Sequence, residues 1–124
     1  MAFTVPRRVT SGTYTPTLTN TTNVAASTAF VARYIRVGSQ VTVYGTANID
    51  PTLAAPTTTV MKISLPIASD FTGSAQCAGV AIDGPSSQVG AISADATDNV
   101  ASLTYPATST AEATWRYTFG YTVL

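Results

Sequence analysis

Thr114-Trp-Arg-Tyr-Thr-Phe-Gly-Tyr-Thr-Val-Leu124 is the stretch whose reading decides the fold. Trp115, Tyr117, Phe119, Tyr121 and Val123 occupy every second position, and Arg116, Thr118, Gly120 and Thr122 lie between them. A strand sends successive side chains to opposite faces, so this spacing gathers four aromatics and a valine on one face. A helix would scatter the same residues around its axis. The stretch holds the only tryptophan, which marks it as a strand inside a sheet. An aromatic face of this kind either forms the core of the fold or meets another chain or a sugar.

The rest of the chain supplies partners for that face. Val41, Val43, Ala47 and Ile49 alternate with polar residues across Gln40–Asp50, and Gly45 interrupts the run as a bulge or a close backbone approach would. Thr28–Val37 reads as the other arm of a hairpin closed by Gly38-Ser39, a Gly-X pair suited to a tight turn. Both faces of that arm carry apolar residues, as expected of a strand covered on both sides. Met61, Ile63 and Leu65 point one way along Thr57–Leu65, and Pro66 stops that strand. Ile67–Ser74 is expected to be a loop whose Ile67 and Phe71 fold back over the core. Gln76–Ile82, Ser87–Ala94 and Val100–Tyr105 complete the series, with Thr13–Leu18 as an edge strand because of Pro16. Polar Thr19–Ala26 reads as a loop.

About eight short strands with regular turn signals and no helical periodicity predict an all-β fold, an antiparallel sandwich of the jelly-roll kind. The predicted core is Val41, Val43, Ile63, Leu65, Trp115, Tyr117, Phe119 and Tyr121. Residues 1–12 read as an extended N-terminal arm and residues 13–124 as one β domain. The arm contains Phe3, Val5, Arg7 and Arg8, which together with Arg116 are the candidate assembly contacts.

Composition narrows the function. The chain is 45% hydrophobic but only 10% charged, and six basic residues balance six acidic ones. Ordinary globular proteins carry about 25% charged residues. Little net charge favours association, so part of the surface is expected to be covered by other subunits. Nucleic-acid binding needs clustered Lys and Arg, and the only basic pair is Arg7-Arg8. No apolar run approaches the roughly 20 residues of a membrane-spanning helix, and no signal-peptide pattern opens the chain, which points to cytoplasmic synthesis.

Histidine is absent, which removes His-based triads, dyads and metal sites. The lone Cys77 lies in an apolar run and reads as an inert buried thiol. Asp95-Ala-Thr-Asp-Asn99 is the one cluster of oxygens that suggests a weak calcium site, but a plain turn explains it better. The expectation is therefore a protein that is not an enzyme, with no catalytic residue, cofactor or metal.

Four motifs in order, Gly12-Thr-Tyr-Thr-Pro-Thr-Leu18, Tyr34-Ile-Arg-Val-Gly38 followed by Val41-Thr-Val43, Leu65-Pro-Ile-Ala-Ser69, and Trp115-Arg-Tyr-Thr-Phe119, resemble a small β module of tailed bacteriophages. The resemblance runs from Gly12 to the C-terminus. Such modules occur as free-standing capsid proteins and at the ends of tail-fibre proteins. The resemblance implies a virion protein, made in the host cytoplasm, that decorates the phage head as a homotrimer and cements the major capsid protein. The other use of the module implies a receptor-binding tip of a tail fibre or spike, with Tyr14, Tyr44 and Tyr105 offered to host glycan.

Overall fold

The computed structural model describes residues 9–85 and 87–124. They form ten strands: β1 (Val9–Tyr14), β2 (Leu18–Thr22), β3 (Val24–Ala29), β4 (Ala32–Val37), β5 (Gln40–Pro51), β6 (Thr57–Ile63), β7 (Cys77–Asp83), β8 (Gln88–Asp95), β9 (Val100–Ala107) and β10 (Ala113–Thr122). A single 3-10 turn, Ser74–Gln76, precedes β7, and the described residues contain no α-helix. Every strand pairing is antiparallel. One unbroken path of pairing runs β1-β4-β5-β10-β7-β8-β9-β6-β2, with β3 beside the far half of β5. A sandwich of two separate sheets would interrupt that path. Here the single sheet curls into a half-barrel and wraps its own concave face around the core.

β10 lies between the long β5 and β7, bonded to both along most of its length. Its odd-numbered residues point inward. Trp115, Tyr117, Phe119 and Tyr121 are all buried, together with Val41, Val43, Ile49, Met61, Ile63 and Leu103. Leu65 packs on this core from a partly buried position. The aromatics contact one another in series, with Tyr117 and Phe119 rings 6.1 Å apart and Phe119 and Tyr121 6.2 Å apart. Tyr105 lies 4.3 Å from the Trp115 ring. Phe71 closes one end edge-on to Tyr121. The Tyr121 hydroxyl donates to the Ile67 carbonyl at 2.7 Å and accepts from its N–H at 3.2 Å, so the Ile67–Ser74 segment is held over the core. Gly45 has a packing role here: a Cβ at that position would lie 2.5 Å from the Tyr117 hydroxyl and 2.9 Å from Ala32 Cβ. The hairpin turn places Gly38 at φ +60°, the conformation a Gly-X turn requires.

Ten strands replace the eight expected: the polar segment supplies an unexpected strand, and one expected strand is divided in two. Thr19–Ala26 reads as a loop but supplies most of β2 and part of β3. Polarity signals a loop only where a strand must bury one face. β2 and β3 lie at edges of the sheet and expose most of their side chains, so β-branched threonine is sufficient. Asn23, at φ +57°, turns the chain between them. Its side-chain amide donates to the Leu53 carbonyl and to Thr59 Oγ1, and its Oδ1 accepts from the Leu53 N–H.

The expected strand at Thr13–Leu18 begins and ends earlier. Pro16 falls in the link after β1, where its missing N–H costs no ladder bond. Because β1 starts at Val9, residues 9–12 belong to the sheet and not to an arm. The expected single arm Thr28–Val37 is split into β3 and β4. Between the pairs Ala29↔Ala47 and Arg33↔Tyr44, three residues face two, a bulge that pushes Phe30 and Val31 outward.

Candidate interaction surface

Among the described residues the inward positions hold most of the aromatics, and the convex outer face is built from what alternates with them. β4 contributes Arg33 and Ile35, β5 Thr42 and Tyr44, β10 Arg116 and Thr118, β7 Val80 and Ile82, and β8 Val89 and Ala91. Strand register arranges them in rows. Arg33, Tyr44, Thr118, Val80 and Ala91 stand side by side across five strands. Thr46, Arg116, Ile82 and Val89 form the next row. Ile35, Tyr44, Val80, Ile82 and Val89 are all exposed, Tyr44 by 54%. Neither row contains an acidic residue. Among the described residues, Arg33 and Arg116 form no ion pair; the only salt bridges are those of Lys62. Tyr44, Val80, Ile82, Arg116 and Thr118 border a shallow depression of about 220 Å³. Exposed apolar side chains grouped on one face and rimmed by polar residues are a feature of interaction sites.

Arg116, the one expected assembly contact within the described residues, stands exposed in the middle of this face. Phe3, Val5, Arg7 and Arg8 lie outside the described residues. The sequence reading missed Val80, Ile82 and Val89. The signal for Val80 and Ile82 was the run Cys77-Ala-Gly-Val-Ala-Ile82, which is apolar at both odd and even positions and so leaves one apolar face turned to solvent.

The structure corrects the tyrosine set proposed for glycan. Tyr105 is 2% exposed and packs on Trp115. Burial, and after it the nearby Asp83 carboxyl, push its phenol up to about 12. Tyr14 is half-buried and donates its hydroxyl to the Ser64 carbonyl at 2.9 Å. Of the three, only Tyr44 offers its ring to solvent.

The acidic loop after β8 is closed by protein groups. Lys62 Nζ lies 2.5 Å from Asp95 Oδ2 and 2.8 Å from Asp98 Oδ2, so an ammonium occupies the space between the two carboxylates. Asp95 Oδ1 accepts from the Thr97 and Asp98 N–H groups. The Lys62 hydrogen bond, followed by that of the Asp98 N–H, holds the Asp95 carboxyl below its usual range. This is a turn with its charges satisfied. Cys77 is buried and unpaired, and burial pushes its thiol up to about 11.

A second polar cluster lies at the end of β7. Buried Asp83 accepts a hydrogen bond from Gln88 Nε2 at 2.9 Å. Gln88 Oε1 in turn accepts from the N–H and the hydroxyl of Thr108. The cluster pins the β7–β8 turn against the segment that follows β9.

No protein-family model, curated protein or solved structure matches the chain.

Proposed function

We propose that this chain is a structural protein of a phage particle, a head decoration or cement protein whose convex sheet face docks on the major-capsid lattice. The observation that supports docking is the outer face itself: five strands present Ile35, Tyr44, Val80, Ile82 and Val89 to solvent with two arginines that form no ion pair among the described residues and no acid beside them. The resemblance to phage β modules supplies the identity of the partner and the location on the virion. The work done is passive. A homo-oligomer that touches several capsid subunits gains affinity through effective concentration. By binding the assembled shell and not its free subunits, it stabilises the shell by mass action.

Co-sedimentation with purified phage heads tests this reading. Wild-type protein should pellet with mature heads. Val80→Asp and Tyr44→Asp should keep the native circular-dichroism spectrum and remain in the supernatant. Equal pelleting of the variants, or no binding by the wild type, removes the proposal.

One observation favours a second reading, a glycan-recognising tail-fibre tip: the exposed ring of Tyr44 lies beside Arg116 at the rim of the depression. Binding to host cells without binding to heads would select it.

A further inference from the structure

Three strands reach an edge of the sheet, and two of them are interrupted. The β2–β6 ladder shifts register between Asn20 and Thr22, and the β3–β5 ladder between Val24 and Ala26. Bulges of this kind twist an edge and spoil it as a template for another strand. β1 has no such device. It keeps six consecutive pairs with β4, from Val9↔Val37 to Tyr14↔Ala32, without a shift. Its sequence, Val-Thr-Ser-Gly-Thr-Tyr, has no charge and no proline, the other usual guards of an edge. Among the described residues, no strand pairs with its second edge.

β1 is also held in place. The Tyr14 and Tyr34 rings meet edge-on at 6.2 Å, and the Tyr34 ring fills the space a side chain at position 12 would take. A strand fixed in this way loses little further freedom on pairing.

We infer that β1 is a self-assembly edge at which two copies of this chain join, β1 antiparallel to β1, in one continuous sheet. The twofold axis of such a joint stands normal to the sheet. It keeps each face on its own side, so residues that meet across it share parity. Centred on Gly12, it sets Ser11 opposite the partner's Thr13 and Thr10 opposite the partner's Tyr14. Hydroxyl pairs and aromatic–β-branched pairs are both stabilising cross-strand combinations, and no like charges meet. Within each copy, Val9 and Ser11 stand directly across from the exposed Val37 and Ile35 of β4. The contact uses the edge of the sheet and leaves the convex face free, so it does not rest on docking to a shell. It is twofold, where the resemblance implied a threefold assembly.

Sedimentation equilibrium of the full chain from micromolar to near-millimolar concentration tests the joint. Wild-type protein should approach twice the 12.8 kDa of the single chain. The double variant Ser11→Lys, Thr13→Lys sets like charges opposite each other twice and should weaken self-association by roughly tenfold or more. Ser11→Glu, Thr13→Lys alters the same positions but sets opposite charges face to face, and should recover wild-type association. As a check that needs no variant, β1 amides of the wild type should exchange hydrogen more slowly as concentration rises, while those of β2 stay unchanged. A wild type that stays monomeric, a dilysine variant that dimerises like wild type, or a Glu–Lys variant as weak as the dilysine one each overturns the joint and its register. Docking of the convex face on phage heads is read separately, by the co-sedimentation of Val80→Asp and Tyr44→Asp.

Discussion

Trp115→Ala removes the largest fully buried side chain in the protein from its central strand. An aromatic of this size buries roughly 200 Å². At about 25 cal/mol per Å², its transfer from water contributes about 5 kcal/mol. Alanine retains part of that area, and a compact unfolded chain already hides some of it, which lowers the figure. The Tyr105 ring, 4.3 Å away, then loses its partner, which adds back about 1 kcal/mol. The expected loss is about 3–5 kcal/mol, in the usual range for deleting a buried tryptophan. For a chain of this length that lowers the melting temperature by roughly 10–20 °C. Far-ultraviolet circular dichroism is the suitable assay, because the variant has lost the only tryptophan and with it the fluorescence signal. Arg116→Ala is the internal control. It alters the adjacent residue on the opposite face of the same strand, and its stability should stay within about 0.5 kcal/mol of wild type. A soluble Trp115→Ala protein that melts at the wild-type temperature would refute the assignment of this face to the core.

Other consequences are as direct. Gly45→Ala should destabilise by about 1–3 kcal/mol, because its methyl collides with the Tyr117 hydroxyl; chemical denaturation measures this. Tyr117→Phe should leave stability unchanged or raise it, since the buried hydroxyl has no hydrogen-bond partner among the described residues, and it should relieve part of the Gly45→Ala loss. Asp95 has a lowered carboxyl pKa, so its ion pair contributes stability above the ordinary carboxylate range, and that contribution is lost as pH falls through the lowered value. Lys62→Met should therefore flatten the acid limb of a plot of melting temperature against pH, and high salt should mimic it in the wild type. Cys77 should resist a thiol reagent in the native protein and react fully in guanidinium chloride.

How far the sequence could be read depends on which face a residue occupies. Period-two alternation at Trp115–Tyr121, Val41–Ile49 and Met61–Ile63 located the strands β10, β5 and β6, because burial forces that pattern on any strand with one face in a core. β2 and β3 bury little, so no alternation marks them, and their threonines and asparagines looked like a loop. The joining of all strands into one curled sheet was not legible either, since alternation is the same in a sandwich and a half-barrel. The outer face was only half visible. Arg116 stood out as a charge in an aromatic run, whereas Val80 and Ile82 were masked by the apolar residues that alternate with them. Lys62 lies 33 residues before Asp95, so its closure of the acidic loop depends on the β6–β9 pairing and not on local spacing.

The place of β10 also governs the order in which the molecule can be made. It fills the gap between β5 and β7, yet nine strands are synthesised before it. Until Ala113–Thr122 emerges from the ribosome, β5 and β7 each lack a neighbour, and the concave face lacks Trp115, Tyr117, Phe119 and Tyr121. A nascent chain in that condition presents open edges to any strand it meets. A chain that stops before Ala113 has every other strand but not the one that joins its two halves.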